Sequence, residues 1–325
     1  MKATLIEAGA GDLEWGDAPS PLAGPTDVLV EVHATAVNRA DLLQRRGFYP
    51  PPPGESDILG LEAAGVVGAV GVGVKGVRVG DRVCCLLGGG GYAEQITVPE
   101  AMALPIPAGL DFVQAAAIPE AFYTAFVNLV LEAGLAAGER VLIHAGASGV
   151  GTAAIQLVRA RGATAFVTAG SDDKLARCKD LGASAGINYK QESFTERIAA
   201  LTEGKGVDII LDCIGGSYLE ANVASLRPQG RLVIIGLMGG TKADLNLGLL
   251  VSRRLRVIGS VLRSRSLTEK VAITEAFRSE VMPLFANGTL KPVVDATYPI
   301  AEAAAAHDYV AANKNFGKVV LRVRD

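Results

Sequence analysis

Six consecutive residues near the middle of the chain could bind a phosphate group. Gly146-Ala147-Ser148-Gly149-Val150-Gly151 follows a short apolar run, Arg140–Ala145, and precedes apolar residues at helical spacing. A glycine-rich turn between a strand and a helix offers backbone N–H groups and a helix N-terminus to the pyrophosphate of a dinucleotide. Ser148 replaces the middle glycine of G-x-G-x-x-G, so the strand–helix context supports this prediction more than the letters do. The alternative is a tight turn with no ligand.

Two other glycine-rich motifs do not fit this segment. A P-loop needs Gly-Lys-Ser/Thr, but Gly151 is followed by Thr152 and Ala153. A nucleophile elbow, G-x-S-x-G, needs glycine where Val150 stands. The segment therefore favours a dinucleotide over a nucleoside triphosphate or an acyl-enzyme mechanism.

The end of the next predicted strand indicates which dinucleotide binds. NAD sites carry an acidic residue there for the ribose 2'-hydroxyl, whereas this chain has Gly170 and Ser171, followed by Lys174. Glycine leaves room for a 2'-phosphate, and lysine supplies a positive charge. Asp172 and Asp173 count against this interpretation, but we expect both in the first turn of the following helix. The segment predicts NADPH; a solvated helix lysine at 174 is the alternative.

The residues that could bind zinc are scattered along the chain. No C-x-x-C pair occurs, and no histidine lies near a cysteine at ligand spacing. The histidines and cysteines are His33, His144, His307, Cys84, Cys85, Cys178 and Cys213. We predict no metal site, so either hydrogen bonds polarise a carbonyl or the electrophile is intrinsically reactive, and quinones and activated alkenes fit this requirement better than simple alcohols or ketones.

Three regions that differ in their residue patterns must position these residues. Short alternating β-branched runs extend to about residue 120, strands then alternate with helices, and strand-like runs return near the C-terminus. This order predicts an α/β protein: a mostly-β domain (1–122 plus 288–325) with an inserted doubly wound parallel-sheet domain (123–287) and the active site in the cleft between them. The strands predicted after the glycine-rich turn are 165–168, 186–188, 208–213, 231–235 and 255–261. Capping boxes predict helix starts at Ser193, Ser217 and Ser266.

Composition excludes several classes of protein. The 325 residues carry a net charge of −3 with acids and bases interleaved, which does not favour nucleic-acid binding. Half of the residues are hydrophobic, but no uninterrupted apolar run of about 18 residues predicts a membrane span. Four cysteines are too few for a disulfide framework. We predict a cytoplasmic protein with a small-molecule substrate.

Many runs along the whole chain resemble one family. The chain is similar to the quinone oxidoreductase (zeta-crystallin-like) branch of the zinc-free medium-chain dehydrogenase/reductase superfamily, and within it to the tumour-suppressor-inducible NADPH type. The resemblance implies a GroES-like β catalytic domain with an inserted Rossmann domain. Zinc-dependent members carry Cys where Asn38 stands and His where Leu61 stands in Gly60-Leu61-Glu62. The runs are 38–42, 51–54, 58–62, 115–121, 144–151, 211–218, 236–240 and 262–265.

The resemblance also implies roles for individual residues. Asn38 and Tyr49 would line the nicotinamide and substrate site. Thr124 would approach the cofactor ribose and phosphate, and Gly170, Ser171, Lys174 and Tyr189 would hold the 2'-phosphate and adenine end. The remaining cofactor-binding residues implied are Ile214, Gly236, Leu237, Met238, Leu262 and Asn315.

The predicted reaction is metal-free reduction of a quinone by hydride transfer from NADPH. Reduction of activated alkenes, such as 2-alkenals or enoyl thioesters, is the alternative within the same chemistry. A non-catalytic NADPH-binding protein with a structural or RNA-binding role is an alternative of another class. The apolar run Leu255–Val261 would be the edge strand of the Rossmann sheet. The resemblance implies a homodimer through that edge, and possible tetramers.

Overall fold

The computed structural model describes residues 1–6 and 11–324. The strands are β1 (Lys2–Ile6), β2 (Leu13–Asp17), β3 (Asp27–Val37), β4 (Glu62–Val70), β5 (Arg82–Leu86), β6 (Gln95–Pro99), β7 (Ala103–Pro105), β8 (Arg140–Ile143), β9 (Thr164–Ala169), β10 (Ala185–Asn188), β11 (Val207–Asp212), β12 (Leu226–Ile234), β13 (Arg256–Gly259), β14 (Val294–Pro299) and β15 (Lys318–Arg322). The helices are α1 (Arg39–Arg45), α2 (Phe112–Ala116), α3 (Pro119–Phe126), α4 (Gly149–Ala160), α5 (Asp172–Leu181), α6 (Phe194–Leu201), α7 (Leu219–Ser225), α8 (Leu247–Ser252), α9 (Leu267–Glu280), α10 (Met282–Ala286) and α11 (Ala303–Ala311).

The chain divides into two compact units. Unit 1 comprises Met1–Tyr123 and Leu262–Asp325, and unit 2 comprises Thr124–Val261. The prediction placed the return to the first domain at residue 288, whereas residues 262–287 group with unit 1. The reason is packing: Tyr123 stacks on Phe277 of α9 with ring centroids 4.1 Å apart, and the Arg278 guanidinium donates to the Ala101 carbonyl at 3.2 Å.

Unit 1 is built on a curled seven-stranded sheet. Its order is β14-β15-β3-β4-β5-β7, with β6 also pairing with β3. All pairings are antiparallel except β14 with β15, as expected for a mostly antiparallel domain. One apolar core lies between β3, β15 and α11 and is formed by Val37, Leu59, Tyr92, Ala306, Val310, Val319 and Leu321.

Unit 2 is built on a six-stranded sheet in which every pairing is parallel. Its order is β10-β9-β8-β11-β12-β13, which is the doubly wound order with the first strand, β8, at the switch point. The inner strands are buried on both faces, as apolar parallel strands require. The predicted fold class is confirmed, and the five strands predicted after the glycine-rich turn correspond to β9 through β13.

Two of the three predicted helix caps are found. The Ser193 hydroxyl accepts from the Glu196 amide, and Ser266 forms a full capping box with Glu269. The prediction at Ser217 is wrong, because Gly216–Tyr218 forms a 3₁₀ turn and α7 begins after Tyr218 with no side-chain cap. Within residues 1–6 and 11–324, no helix has the length and apolar character needed to cross a membrane.

Candidate cofactor and substrate site

The glycine-rich turn joins β8 to α4 in a conformation that side chains would block. A Cβ on Gly151 would lie 2.4 Å from the Ala145 carbonyl oxygen, and a Cβ on Gly146 would lie 2.7 Å from the Val167 Cβ. Ser148 is the N-cap of α4, and its hydroxyl accepts from the Gly151 amide at 2.9 Å. The serine that weakened the motif in the sequence is therefore the residue that starts the helix. The N-terminus of a 12-residue helix is left facing this turn, and this suits an anion.

The side chains of Tyr189 and Lys190 lie against Gly170 at the end of β9. A Cβ on Gly170 would lie 2.7 Å from the Tyr189 hydroxyl and 3.3 Å from Lys190 Cε, so a side chain at position 170 would displace Tyr189. Ser171 caps α5, on which Lys174 is half-buried. Tyr189 was predicted at this end of the cofactor, whereas Lys190 was missed although it is the next residue in the chain.

Asp172 has a partner in this region. It is the first residue of α5, as predicted, and its carboxylate accepts from the Asn188 amide at 2.8 Å. A bonded carboxylate at a helix N-terminus is already stabilised by the helix dipole. Its charge remains beside the lysines and reduces their net attraction for an anion.

The remaining predicted residues of unit 2 follow the other strands. Ile214 follows β11, and its amide donates to Asp212 Oδ1 at 2.7 Å. Gly236 follows β12, where a Cβ would approach the Cys213 carbonyl to 2.9 Å. Leu237 and Met238 come next and are 54% and 55% exposed. Because the carboxyl ends of parallel strands meet at one edge, the residues after β8 to β12 share that edge of the sheet. Thr124 is half-buried in α3.

A buried histidine connects three of these elements. His144 ends the β8 segment; its Nδ1 pairs with the Thr168 hydroxyl of β9 at 3.1 Å and its Nε2 with Asn222 Oδ1 of α7 at 2.7 Å. Burial lowers the pKa of His144 to about 4, and the bond to Asn222 opposes this shift. The imidazole is therefore neutral at physiological pH and serves as a hydrogen-bonded core residue.

In unit 1, Asn38 lies between two buried charges. Lys318 donates to Asn38 Oδ1 at 2.5 Å and to Glu62 Oε1 at 2.6 Å. The Asn38 amide donates to Glu62 Oε1 at 2.8 Å and to the Ala36 carbonyl at 3.3 Å. Glu62 and Lys318 are 0% and 4% exposed, so their ion pair is shielded from water. Both the oxygen and the nitrogen of the Asn38 side-chain amide are thus hydrogen-bonded within the protein.

A second buried acid supports this arrangement. Asp41 accepts from the amides of Asn38 and Gly60 at 2.7 and 3.2 Å. The Tyr92 hydroxyl lies 3.3 Å from Asp41 and 3.0 Å from His307 Nε2. Burial raises the pKa of Asp41 to about 6, against its two backbone hydrogen bonds and the charge of Lys318. This network fixes the turn that carries Asn38.

Tyr49 is half-buried at the start of the proline-rich tract. The Arg263 guanidinium carbon lies 5.2 Å from the centre of its ring. Burial and the charge of Glu120 raise the pKa of the Tyr49 phenol, and Arg263 opposes them. Glu120 is tied to the Asn38 cluster, since its amide donates to Glu62 Oε2 at 2.8 Å. Glu120 therefore connects the two residues. Its charge acts on Tyr49, and its backbone amide binds Glu62, which also accepts from the Asn38 amide.

Two predicted residues lie elsewhere in unit 1. Leu262 is buried, and the Asn315 side chain donates to the Gly317 carbonyl at 2.8 Å. The sequence reasoning gave no role to Glu62, Lys318, Glu120 or Arg263. One signal was available: Glu62 and Lys318 are opposite charges at the edges of apolar runs, and such residues are rarely buried unless paired.

Asn38 and Leu61, which stand where zinc-dependent members carry zinc ligands, make other contacts in this chain. Leu61 is 1% exposed and packs in the core, while Asn38 is bonded as described above. Among the residues that the structure describes, no group of three or more His, Cys, Asp or Glu side chains is arranged to hold a metal ion. The four cysteines are free thiols, three of them buried.

Family models and relatives agree with this architecture. The model for the alcohol dehydrogenase GroES-like domain matches residues 24–108, and the model for zinc-binding dehydrogenases matches residues 149–278. The chain is 32% identical to the quinone oxidoreductase of Rattus norvegicus over 94% of its own length and 92% of the relative. It is 36% identical to a mycocerosic acid synthase-like polyketide synthase of Mycobacterium tuberculosis over 92% of its length, but spans only 14% of that synthase.

Solved structures show the same two-part fold. An NAD-dependent alcohol dehydrogenase aligns with a TM-score of 0.88 at 35% identity, covering 99% of this chain and 100% of the other. A mycobacterial protein solved as a complex with NADPH aligns with a TM-score of 0.89 at 29% identity and the same coverage. The JamJ enoyl reductase aligns with a TM-score of 0.88 at 29% identity, covering 99% of both chains.

These relatives identify the chain as an oxidoreductase with a nucleotide cofactor. The near-complete match to quinone oxidoreductases, together with the residues at positions 38 and 61, defines the group. The chain belongs to the zinc-free, quinone oxidoreductase-like branch of the medium-chain dehydrogenase/reductase superfamily.

Proposed function

We propose that this protein reduces quinones with NADPH and without a metal. The arrangement of Asn38, Glu62 and Lys318 carries the proposal. Where zinc-dependent members bind zinc, this chain has an ammonium group that already neutralises the local carboxylate. A substrate carbonyl therefore gains no Lewis acid there, which favours an electrophile that accepts hydride readily, as a quinone does.

Lys190 beside Gly170 and the half-buried Lys174 on α5 support NADPH as the hydride source, because their positive charges suit a 2'-phosphate. The residues proposed to hold the cofactor are the turn 146–151, Thr124, Gly170, Ser171, Lys174, Tyr189, Ile214, Gly236, Leu237, Met238, Leu262 and Asn315. When bound, NADPH supplies a hydride from C4 of its nicotinamide. The turn 146–151 presents backbone amides and the N-terminus of α4 to a pyrophosphate, and Gly146 and Gly151 allow this tight turn, in which a Cβ would clash with Val167 or with the Ala145 carbonyl.

Tyr49 is the side chain proposed to complete the reduction. A quinone that gains a hydride becomes a hydroquinone anion, which takes up one proton. The raised pKa of Tyr49 keeps its phenol protonated at neutral pH, so the hydroxyl can donate to that oxygen and recover its proton from water. The Asn38 amide is bound by Lys318 and Glu62, so we assign it a positioning role beside the substrate.

A cofactor and substrate assay tests the proposal. The purified protein, treated with a chelator, should oxidise NADPH in the presence of 1,2-naphthoquinone, with kcat/KM at least about tenfold higher than with NADH. Loss of activity on chelation that zinc restores would refute the metal-free reaction. Equal efficiency with the two cofactors would refute the NADPH assignment.

Reduction of activated alkenes is the second candidate. It is favoured by the 36% identity to a polyketide synthase and by the structural match to an enoyl reductase. The same metal-free site would serve, with the proton delivered to carbon in place of oxygen. Faster turnover of a 2-alkenal or an enoyl thioester than of 1,2-naphthoquinone would favour this candidate.

A further inference from the structure

Arg263 is a buried cation in unit 1 that binds three separate segments. It is 6% exposed. Its guanidinium donates to the Gly88 carbonyl at 2.7 Å, to Gln44 Oε1 at 2.7 Å and to the Tyr49 carbonyl at 3.2 Å. All three acceptors are neutral oxygens, and the guanidinium holds each of the segments to which they belong.

The Tyr49 segment depends on such contacts. Tyr49 precedes four consecutive prolines, Pro50 to Pro53. Proline has no N–H group, so this tract cannot be held by a hydrogen-bonded ladder and must be fixed through carbonyl and side-chain contacts. Arg263 provides both kinds, because it bonds the Tyr49 carbonyl and lies 5.2 Å from the ring centre.

The far end of the tract is held by the same surroundings. Gln44, whose oxygen binds Arg263, donates from its amide nitrogen to the Asp57 carbonyl at 2.9 Å. Lys270 of α9 pairs with Glu55 at 3.1 Å. The region 262–270 therefore anchors the tract at its first residue and again after its prolines.

We propose that Arg263 is a positioning residue for the reaction, which presents the Tyr49 ring and hydroxyl to the quinone. The inference rests on the proposed function and extends it to a residue outside the reacting groups. A tyrosine held by its carbonyl and its ring face occupies one place before the substrate arrives, so binding need not order it. In this role the arginine acts through Tyr49 and needs no contact of its own with the cofactor or the substrate.

A double-mutant cycle tests this role. Arg263→Gln should raise the KM for 1,2-naphthoquinone about tenfold and leave the KM for NADPH within about twofold. Arg263→Lys keeps the charge near the ring and should recover part of the loss. Because the arginine acts through Tyr49, Arg263→Gln combined with Tyr49→Ala should be no worse than Tyr49→Ala alone.

Arg231 provides a matched control in unit 2. It is also a well-bonded arginine, donating to the Ala133 carbonyl at 2.9 Å and to Glu139 at 2.8 Å. Arg231→Gln should lower thermal stability without changing the quinone KM selectively. Multiplicative losses in the double variant, a parallel rise in both KM values, or the same KM pattern in Arg231→Gln would each overturn the proposal.

Hydrogen exchange separates this inference from the proposed function. In Arg263→Gln the amides of 54–58 should exchange faster than in the wild type, while those of β8 stay unchanged. Unchanged exchange at 54–58 would overturn the positioning role whatever the enzyme reduces. If the wild type reduced no quinone, the proposed function would fail, and the same cycle measured with a 2-alkenal would decide whether Arg263 acts through Tyr49.

Discussion

Glu120 is a carboxyl group whose neighbours oppose its ionisation. Burial raises its pKa to about 8, the charges of Glu62 and Asp41 act in the same direction, and Lys318 and Arg263 oppose them. Glu62 is already paired with Lys318, so a second negative charge beside it has no cation of its own. At neutral pH Glu120 is therefore mostly protonated.

This carboxyl should make folding stability depend on pH. The folded-state pKa lies above the ordinary value of 4.5, so its contribution is fully present below the unfolded pKa and is lost as the pH rises toward about 8. Glu120→Gln should therefore increase the free energy of unfolding at pH 7 by about 1–3 kcal/mol and flatten its decline between about pH 5 and 8. Urea unfolding across this range measures both. Asp41 titrates in both proteins, so the difference between the two curves isolates Glu120; identical slopes would contradict this account.

The two lysines beside Gly170 should set cofactor preference. A 2'-phosphate is the group that distinguishes NADPH from NADH, so Lys174→Glu or Lys190→Glu should raise the KM for NADPH at least about tenfold and the KM for NADH much less. Lys205 is an exposed lysine paired with Glu203, and Lys205→Glu serves as the control. Equal changes for both cofactors would contradict the assignment of Lys174 and Lys190 to the 2'-phosphate.

At the scale of elements, local patterns predicted most of the structure. The buried apolar runs after the glycine-rich turn became strands because strands buried on both faces have few other solutions, whereas β13 is a mostly exposed edge strand. The prediction of a helix cap at Ser217 is wrong because Gly215, with φ of 79°, permits a 3₁₀ turn at this point. The spacing of Ser217 and Glu220 alone does not indicate such a turn. The π-helical stretch Val127–Glu132 likewise has no distinctive local pattern.

The candidate site was predictable only where one segment contains it. The glycine-rich turn and Gly170 with Lys174 are local, so the sequence indicated them. The pair of Glu62 and Lys318 depends on strand register: β15 and β4 flank β3, and this places residues 256 positions apart in contact. No pattern in a single sequence specifies that register. The sequence therefore shows both charged residues but does not indicate that they form a pair.

The strand pairing predicts a large stability cost for breaking this ion pair. Lys318→Met would leave Glu62 buried and unpaired, which should lower the free energy of unfolding by about 3–5 kcal/mol. Replacing Glu62 by Leu in the same chain should restore much of that loss, since two apolar side chains leave no buried charge. Lys205→Met, in an exposed pair, should cost less than about 1 kcal/mol. Denaturant unfolding measures all three, and a small effect of Lys318→Met alone would refute the paired-charge account.

For the whole molecule, the two compact units divide at 123/124 and at 261/262, whereas the predicted domain boundaries are 122/123 and 287/288. The predicted first boundary at 122/123 lies one residue from the observed 123/124. In the sequence, the α9 region resembles one more helix in the alternating series of strands and helices. It was therefore predicted to belong to the inserted domain. Its partners are Tyr123, Ala101 and Ala103, contacts over more than 150 residues of chain that no local signal reveals.

The edge of the unit 2 sheet should determine the oligomeric state. β13 pairs only with β12 among the described strands, and its residue Val257 is 37% exposed. The preceding helix α8 exposes Leu247 and Val251 by 63% and 73%. An open edge beside exposed apolar side chains invites pairing with a second copy.

We therefore expect a homodimer through β13, with tetramers possible at higher concentration. Sedimentation equilibrium should give about twice the chain mass for the wild type, and Val257→Lys should shift the population toward monomer, since a lysine on this edge disfavours strand pairing. Val72→Lys is the control, because Val72 is 99% exposed and lies in unit 1. A wild type that stays monomeric at every concentration, or a dimer that Val257→Lys leaves intact, would show that β13 is not the contact.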